Sequence, residues 1–466
     1  MVLNRVLNLF RRSATTNTSD TEGLQATVIP RSEHGISRQQ LSPSALKVMY
    51  RLNKQGFEAY LVGGGVRDLL LGQQPKDFDI VTNARPEQVK KLFHNCRLIG
   101  RRFRLAHIMF GREIIEVATM RGHHDDSKSN QVSKLDDAGM IVRDNVYGTI
   151  EEDAERRDFT INAIYYSIAD YSLLDFANGI DAINNRRIEI IGDPVERYRE
   201  DPVRMIRAVR FATKLDMTIE PRTADPIHDL AHLLGSIPAA RLFDEICKLL
   251  LAGKAEENFQ MLREFGLLEA LFPDLVTFLD SDATEADEAF ILAALRNTDE
   301  RVNNDQSVTP AFIYAAMLWP LVEFNARELA TESELGPSEA FQIAASEVLD
   351  RQQKRTAVPK RFSLVSRDIW SLQLRLPNRQ GKRAEKLSTH PKIRAAFDFL
   401  LLRGEVYGGE LKPLAEWWQQ YLTSTGDKRA SLIKEVAGSG SAGKRPGSRR
   451  RRRRTSPNKP KKDAES

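Results

Sequence analysis

The stretch LVGGGVRDLLLGQQPKDFDIVT, residues Leu61 to Thr82, sets three glycines, an arginine and two carboxylates one residue apart into a single short run. Its pattern predicts a strand over Ala59–Val62, a glycine turn, a helix over Val66–Leu71, a second turn over Gly72–Lys76 and a strand from Phe78. In an extended strand residues i and i+2 share a face, so Asp77 and Asp79 project side by side while Phe78 turns to the core. Two such carboxylates repel unless a cation sits between them, and Mg2+ suits them because it takes oxygen ligands from carboxylates and from substrate phosphates. A solvent-facing acid pair at a turn has the same local signature; the glycines beside this one separate the two readings. Gly63, Gly64 and Gly65 allow backbone N–H groups close to a phosphate, and Arg67 adds a fork of donors. The run is neither a dinucleotide fingerprint, because Asp68 stands where G-x-G-x-x-G needs glycine, nor a G-x-x-x-x-G-K-[ST] loop.

The rest of the 466-residue chain bounds the setting. An apolar fraction of 41% allows several cores. Two cysteines far apart, Cys96 and Cys247, make a disulfide framework or a cysteine zinc site a poor fit and suit a reducing, cytoplasmic location. No apolar run approaches the roughly 20 residues of a membrane span, and MVLNRVLNLFRRSATT at the start is broken by Asn and Arg where a signal peptide needs its apolar core. The net charge of +5 conceals an asymmetry: residues 441–466 hold eleven Lys and Arg against Asp463 and Glu465, so residues 1–440 carry an excess of four acids. Six consecutive arginines in GSRRRRRRTSPNKPKK repel one another and gain by meeting phosphate, which predicts a polyanion-binding arm.

Along the chain, residues 1–40 are expected to be disordered, and SPSALKVMYRLNKQGF starts a helix at a Ser/Pro cap. From Ala59 to about Ile168 strand-like runs (AYLV, DIV, LAHIMF, IIEVATM, AIYYSI) alternate with helical stretches, an α/β or α+β pattern. Beyond Asp201 the apolar spacing is helical throughout. GSGSAGKRPGSRR marks the expected end of order.

A third carboxylate beside Asp77 and Asp79 would complete a two-metal site. Two residues are candidates: Glu116, the polarity break in the strand-like EIIEVATMR, and Asp158 in EEDAERRDFTINAIYY, whose arginine neighbours favour its ionised form. In isolation each has a plain reading, a water-facing strand acid and a solvated helix face. RGHHDDSKSN, residues 121–130, reads as a polar loop, since adjacent His123, His124, Asp125 and Asp126 cannot all converge on one ion. Trp417 and Trp418 in AEWWQQYL could stack on RNA bases, but their helical setting favours core packing.

Taken together, LVGGGVRDLLLG, DFDIVT, RRDFTINA and EDPVRMIRAVRF resemble the signature of the nucleotidyltransferase class that contains bacterial poly(A) polymerases and tRNA CCA-adding enzymes. The resemblance runs from Ala59 to Leu215, in order and without a missing motif. RLIGRRFRLAH (Arg97 to His107), HPKIRAAFDFLLLRGE and the arginine tail resemble the poly(A) polymerase branch. The resemblance implies an α+β fold: a nucleotidyltransferase head with a mixed β-sheet over residues 41–170, a base-recognising neck over 171–240, a helical body and RNA-binding C-terminal region over 241–437, and a tail over 438–466. It implies that Asp77 and Asp79 hold two Mg2+ ions, that Asp158 is a third catalytic acid with Glu116 as the other candidate, and that Gly63, Gly64, Arg67 and Arg157 meet the triphosphate of ATP. Asp201, Arg204 and Arg207 match the residues with which the family reads the incoming base. Physics adds that Asp201-Pro202 is a strong helix start and that the two arginines follow at a spacing of three on the same face.

The expected function is template-independent addition of AMP from ATP to RNA 3′ ends, feeding RNA processing and decay together with protein partners of that pathway. A CCA-adding tRNA nucleotidyltransferase is the nearest alternative. A non-catalytic RNA-binding protein is the second, opposed by the retention of Asp77, Asp79 and Asp158.

Overall fold

The computed structural model describes residues 25–100, 104–122, 133–135, 141–144 and 146–439. A mixed sheet of eight strands carries the catalytic motifs. Its elements in chain order are β1 (Thr27–Ile29), α1 (Pro43–Lys54), β2 (Ala59–Val62), α2 (Gly64–Leu70), β3 (Asp79–Thr82), α3 (Pro86–Leu92), β4 (Cys96–Ile99), β5 (Leu105–Phe110) and β6 (Glu113–Thr119). A two-stranded ribbon follows, β7 (Ser133–Leu135) with β8 (Ile141–Asp144), and then α4 (Ile150–Glu155), β9 (Ile164–Ser167) and β10 (Leu173–Asp175). The spatial order is β1-β10-β9-β2-β3-β6-β5-β4. Only β3 and β6 run parallel; the other neighbours in this sheet are antiparallel. The expected mixed sheet with helices is therefore observed.

Local chemistry explains the boundaries that matter. Ser42 accepts from the Ser44 and Ala45 amides and Pro43 opens α1, the cap expected from the sequence. Val62, Val81, Met120, Tyr165 and Phe176 pack into one cluster at the centre of the sheet. Strand β3 starts at Asp79, one residue later than the pattern predicts, so Asp77 lies in the approach to the strand and is exposed.

Two expectations need correction. Residues 25–40 are not disordered: β1 pairs with β10 at the sheet edge, and the Arg31 and Arg38 guanidiniums lie 5.2 and 5.3 Å from the Tyr171 ring centroid. A three-residue strand is too short to announce itself by alternation, and it is stabilised here by its edge pairing. Nor is the charged run EEDAERRD a solvated helix face, since Asp153 is 1% and Arg156 9% exposed. Most of the expected polar loop (residues 123–130), the first 24 residues and the basic tail lie outside the described residues.

The segment expected to form the neck follows as α5 (Gly179–Asn184), β11 (Arg187–Ile188), α6 (Pro194–Glu200), α7 (Val203–Leu215) and β12 (Thr218–Ile219). β12 pairs in parallel with β11 and is the one strand beyond Asp201 among the described residues.

The chain divides into two compact units that interleave in sequence. One comprises residues through Thr277 with Thr298–Ser307 and Arg351–Val358; the other comprises Phe278–Asn297, Val308–Asp350 and the chain from Pro359. The second unit is built from long helices, among them Pro310–Glu332, Lys360–Arg375, Ile393–Val406 and Leu411–Thr423. Trp418 is fully buried there and donates its indole N–H to the Leu376 carbonyl at 2.9 Å, while Trp417 stacks on Tyr421. Both tryptophans are core residues. Trp418→Ala is expected to destabilise this unit by about 3–5 kcal/mol in urea denaturation; a loss below about 1 kcal/mol would be incompatible with that burial.

Candidate active site

The sheet register assembles the centre of the site. Val62, the last residue of β2, lies opposite Asp79 on β3, so the glycine turn leaving β2 starts beside the carboxylate that opens β3. Gly63 has φ +72°, a backbone conformation that glycine adopts without strain. A Cβ added there would lie 3.7 Å from Arg157 Nη1 and 4.0 Å from Asp79 Oδ2. The bare corner therefore faces one anion and one cation at once. Gly64 leaves room for the Arg67 guanidinium, and Gly65 brings α2 close to the Asp77 carbonyl.

The parallel pairing of β3 with β6 places Glu116 in register with Asp79. Burial, followed by the Glu116 charge and, more weakly, Asp77, pushes the Asp79 carboxyl up to about 6, with Arg157 opposing the shift. Across the next strand pair, His107 Nε2 lies 3.0 Å from Glu116 Oε1 without hydrogen-bond geometry. The acid beside the Asp77/Asp79 pair is thus Glu116.

Asp158 is placed differently. It accepts from the Phe159 amide, from Asn162 Nδ2 at 3.1 Å and from Arg207 Nε at 2.7 Å, and it pairs with Arg207 Nη2 at 2.5 Å. Burial works against its charge, but Arg207 and the hydrogen bonds outweigh it and hold the carboxyl well below the usual range. Arg157 pairs with Asp153 at 3.0 Å and donates to the Tyr165 hydroxyl at 2.9 Å. Burial opposes its charge, yet Tyr165 and Asp153 together keep it firmly protonated. Arg67, 3% exposed, donates to Asn162 Oδ1 at 2.7 Å and pairs with Asp68 at 2.6 Å. Asn162 therefore ties Arg67 to Asp158, a bridging role that the run RRDFTINA does not disclose by residue type.

The base-reading candidates, Asp201 just before α7 and Arg204 and Arg207 on it, each have a carboxylate or arginine partner. Asp201 Oδ1 accepts from the Val203 amide at 3.4 Å, as a helix start requires, and its Oδ2 pairs with Arg241 at 2.7 Å. Arg204 donates to Glu200 Oε2 at 2.8 Å and to the Arg197 carbonyl at 2.6 Å. Arg207 reaches back to Asp158. The guanidiniums of Arg67, Arg207 and Arg210 all lie within 5.0–5.2 Å of the Phe211 ring centroid. Arg241 and Glu200 escaped the sequence reading. Arg241 is forty residues away in the chain, whereas Glu200 stands next to Asp201 and could have been found by helix spacing to Arg204.

No three His, Cys, Asp or Glu side chains among the described residues already converge as a metal-ligand set. The mutual repulsion of Asp79 and Glu116 and the bare corner at Gly63 nevertheless fit a hard cation completed by phosphate oxygens.

Residues 59–189 match the model of the Poly A polymerase head domain, residues 216–279 that of the "Probable RNA and SrmB- binding site of polymerase A", and residues 333–456 that of the polymerase A arginine-rich C-terminus. The chain is 53% identical over 442 residues to Poly(A) polymerase I of Salmonella typhimurium, covering 93% of this chain and 95% of that one. To Poly(A) polymerase I of Escherichia coli O157:H7 it is 52% identical over 460 residues, covering 97% of each. A CCA-adding enzyme of Lactobacillus helveticus is 36% identical over 228 residues, 48% of this chain and 54% of that one. Among solved structures, the Bacillus stearothermophilus CCA-adding enzyme in complex with CTP superposes with a TM-score of 0.54 at 24% identity, covering 86% of this chain and 92% of that one, which supports the fold.

The raised Asp79 value carries a linkage prediction. Its folded-state value lies above the unfolded one, so the folded protein resists the ionised carboxylate. The penalty is absent below about pH 4, develops between about 4 and 6, and is complete above about 6 at about 3 kcal/mol. Asp79→Asn is expected to raise urea stability of the metal-free protein at pH 8 and to leave it nearly unchanged at pH 4. An equal effect at both pH values would refute the assignment.

Proposed function

The chain belongs to the bacterial poly(A) polymerase family, and on that premise we propose which of its residues carry the reaction. The enzyme is a polynucleotide adenylyltransferase: it transfers AMP from ATP to an RNA 3′ hydroxyl without a template, and pyrophosphate leaves. CCA-adding enzymes are distant relatives, matching about half of the chain.

In this reading Asp77 and Asp79 hold Mg2+ and Glu116 is the third acid of the site. The observation that carries it is the register of β3 with β6, which aligns Glu116 with Asp79 beside the bare corner at Gly63. Bound Mg2+ supplies Lewis-acid stabilisation of charge on the reacting oxygens. Gly63 and Gly64 leave their backbone open to the triphosphate, and Arg157, fixed by Asp153 and Tyr165, offers a permanent cation at that corner. Asp158 acts through Arg207 as a positioning residue: its carboxylate orients the guanidinium, and Asn162 ties the pair to Arg67.

Base selection falls to the neck. Asp201, held by Arg241, presents a carboxylate that can accept the amino proton of adenine, while Arg204 and Arg207 supply donors for ring nitrogens. The functional division into head (41–170), neck (171–240), body (241–437) and basic tail (438–466) follows these roles. RNA is the polymeric substrate, and the arginine tail adds affinity for it without sequence preference. The two cysteines are free, in keeping with a cytoplasmic enzyme, and among the described residues no helix is long and apolar enough to cross a membrane.

Purified protein with Mg2+ should extend a generic RNA by long A tracts from ATP and use CTP poorly; addition of two C residues to a tRNA trimmed of its last three nucleotides would move the enzyme to the CCA-adding branch. Asp79→Ala should lower AMP incorporation by at least about a thousandfold. Glu116→Gln should lower kcat far more than it raises the KM for ATP, whereas an unchanged kcat would remove Glu116 from the site. Asp158→Asn should chiefly weaken discrimination between ATP and CTP, and a loss of kcat as deep as that of Asp79→Ala would instead make it a direct participant.

A further inference from the structure

The second compact unit contains a cationic pocket that the reaction does not use. The sequence RLPNRQGKRAEK, residues 375–386, holds five bases and one acid, Glu385. Helix Lys360–Arg375 ends and helix Lys382–Ser388 begins within it. The chain reversal between them folds the charges around a pocket of about 390 Å³ lined by Arg375, Asn378, Arg383, Lys386 and Leu387. Arg375, Arg383 and Lys386 are exposed, and Leu387, 4% exposed, supplies an apolar floor.

The charges are uncompensated. Among the described residues, Arg375, Arg379, Arg383 and Lys386 have no carboxylate partner, in contrast to the paired Arg157, Arg204 and Arg207 of the first unit. Arg379, next to the pocket in sequence, lays its guanidinium 5.3 Å from the Trp417 ring centroid. Its Nε is buried and lacks a hydrogen-bond partner, and burial alone lowers its tendency to stay charged. Like charges lining one pocket repel one another unless an anion joins them. Guanidinium forks and an ammonium group around a pocket larger than a single phosphate are matched by consecutive phosphodiesters, with the apolar floor available to a sugar or base.

We propose that the pocket formed by Arg375, Arg383 and Lys386 binds the phosphodiester backbone of the RNA substrate upstream of its 3′ end. RNA is favoured over an acidic protein because this enzyme already acts on a polyanion whose chain continues beyond the reacting hydroxyl. The inference rests on RNA being the substrate, and a separate arm reports on that reading.

The test compares the full-length protein with Arg383→Gln/Lys386→Gln, using a single-stranded RNA long enough to run well past the primer terminus. Binding is measured by fluorescence anisotropy across a salt series, and AMP addition is measured on a primer of a few nucleotides. The double variant should bind the long RNA about tenfold more weakly, and its log K against log salt should be shallower by about 1.4, the share of two phosphate contacts. AMP addition to the short primer and the KM for ATP should stay unchanged. Arg383→Lys/Lys386→Arg, which keeps both charges, should retain the parental affinity and slope, and this separates charge from folding. An unchanged slope for long RNA overturns the proposal, as does a loss confined to ATP affinity or to binding of a polyglutamate peptide. Loss of AMP addition to every RNA by the unmodified protein would instead overturn the reading of the reaction.

Discussion

The active site depends on one pairing, the parallel alignment of β3 with β6 inside a sheet that is otherwise antiparallel. It sets Glu116 beside Asp79, and the antiparallel neighbour β2 sets the glycine turn beside the same residue. A one-residue slip of β3 would turn Asp79 to the opposite face and carry Val81 and Ile80 with it. Val81 is fully buried and belongs to the central apolar cluster. The hydrophobic pattern that fixes the register therefore also holds two mutually repelling acids together. The apolar core sustains an electrostatic arrangement that would be unfavourable by itself, and a cation with phosphates relieves it.

The surrounding shell obeys the opposite rule. Arg157, Arg204 and Arg207 are each matched by a carboxylate, Asp153, Glu200 and Asp158, at 2.5–3.0 Å. Removing one member of such a buried pair leaves an uncompensated charge, which is more damaging than losing both. Asp158 shows the consequence for reading roles. A carboxylate that accepts from an amide, an asparagine and an arginine has little capacity left for a metal ion, and its depressed titration reflects those donors rather than preparation for acid–base work.

Much of this was legible in the sequence because the motifs are local. The glycine turn, the Asp-x-Asp spacing and the Ser42-Pro43 helix start are all decided within a few residues. What was hidden is non-local. Strand β1 owes its existence to an edge supplied by residues 173–175. Arg241 reaches Asp201 across forty positions. The strand register that sets Glu116 beside Asp79 is likewise not encoded by residue types. The charged run around Asp153 looks solvated in sequence because its partner Tyr165 and the apolar strand β9 arrive only in three dimensions.

The pairing of Asp201 with Arg241 bears on how adenine is chosen. If Asp201 were unpaired until nucleotide arrived, a wrong base would leave a bare buried carboxylate, and selection would be steep. Here one oxygen already accepts from Arg241, which is 32% exposed, and the other receives a long 3.4 Å bond from the Val203 amide. The penalty for a wrong base is therefore limited to the lone pairs that remain, and Arg204, committed to Glu200 and to a backbone carbonyl, adds donors only where its geometry already points. If these residues read the base as proposed, selectivity comes from fixed direction rather than from leaving groups unsatisfied. On that reading Arg241 and Glu200, which need not touch the base, hold the groups that would read it.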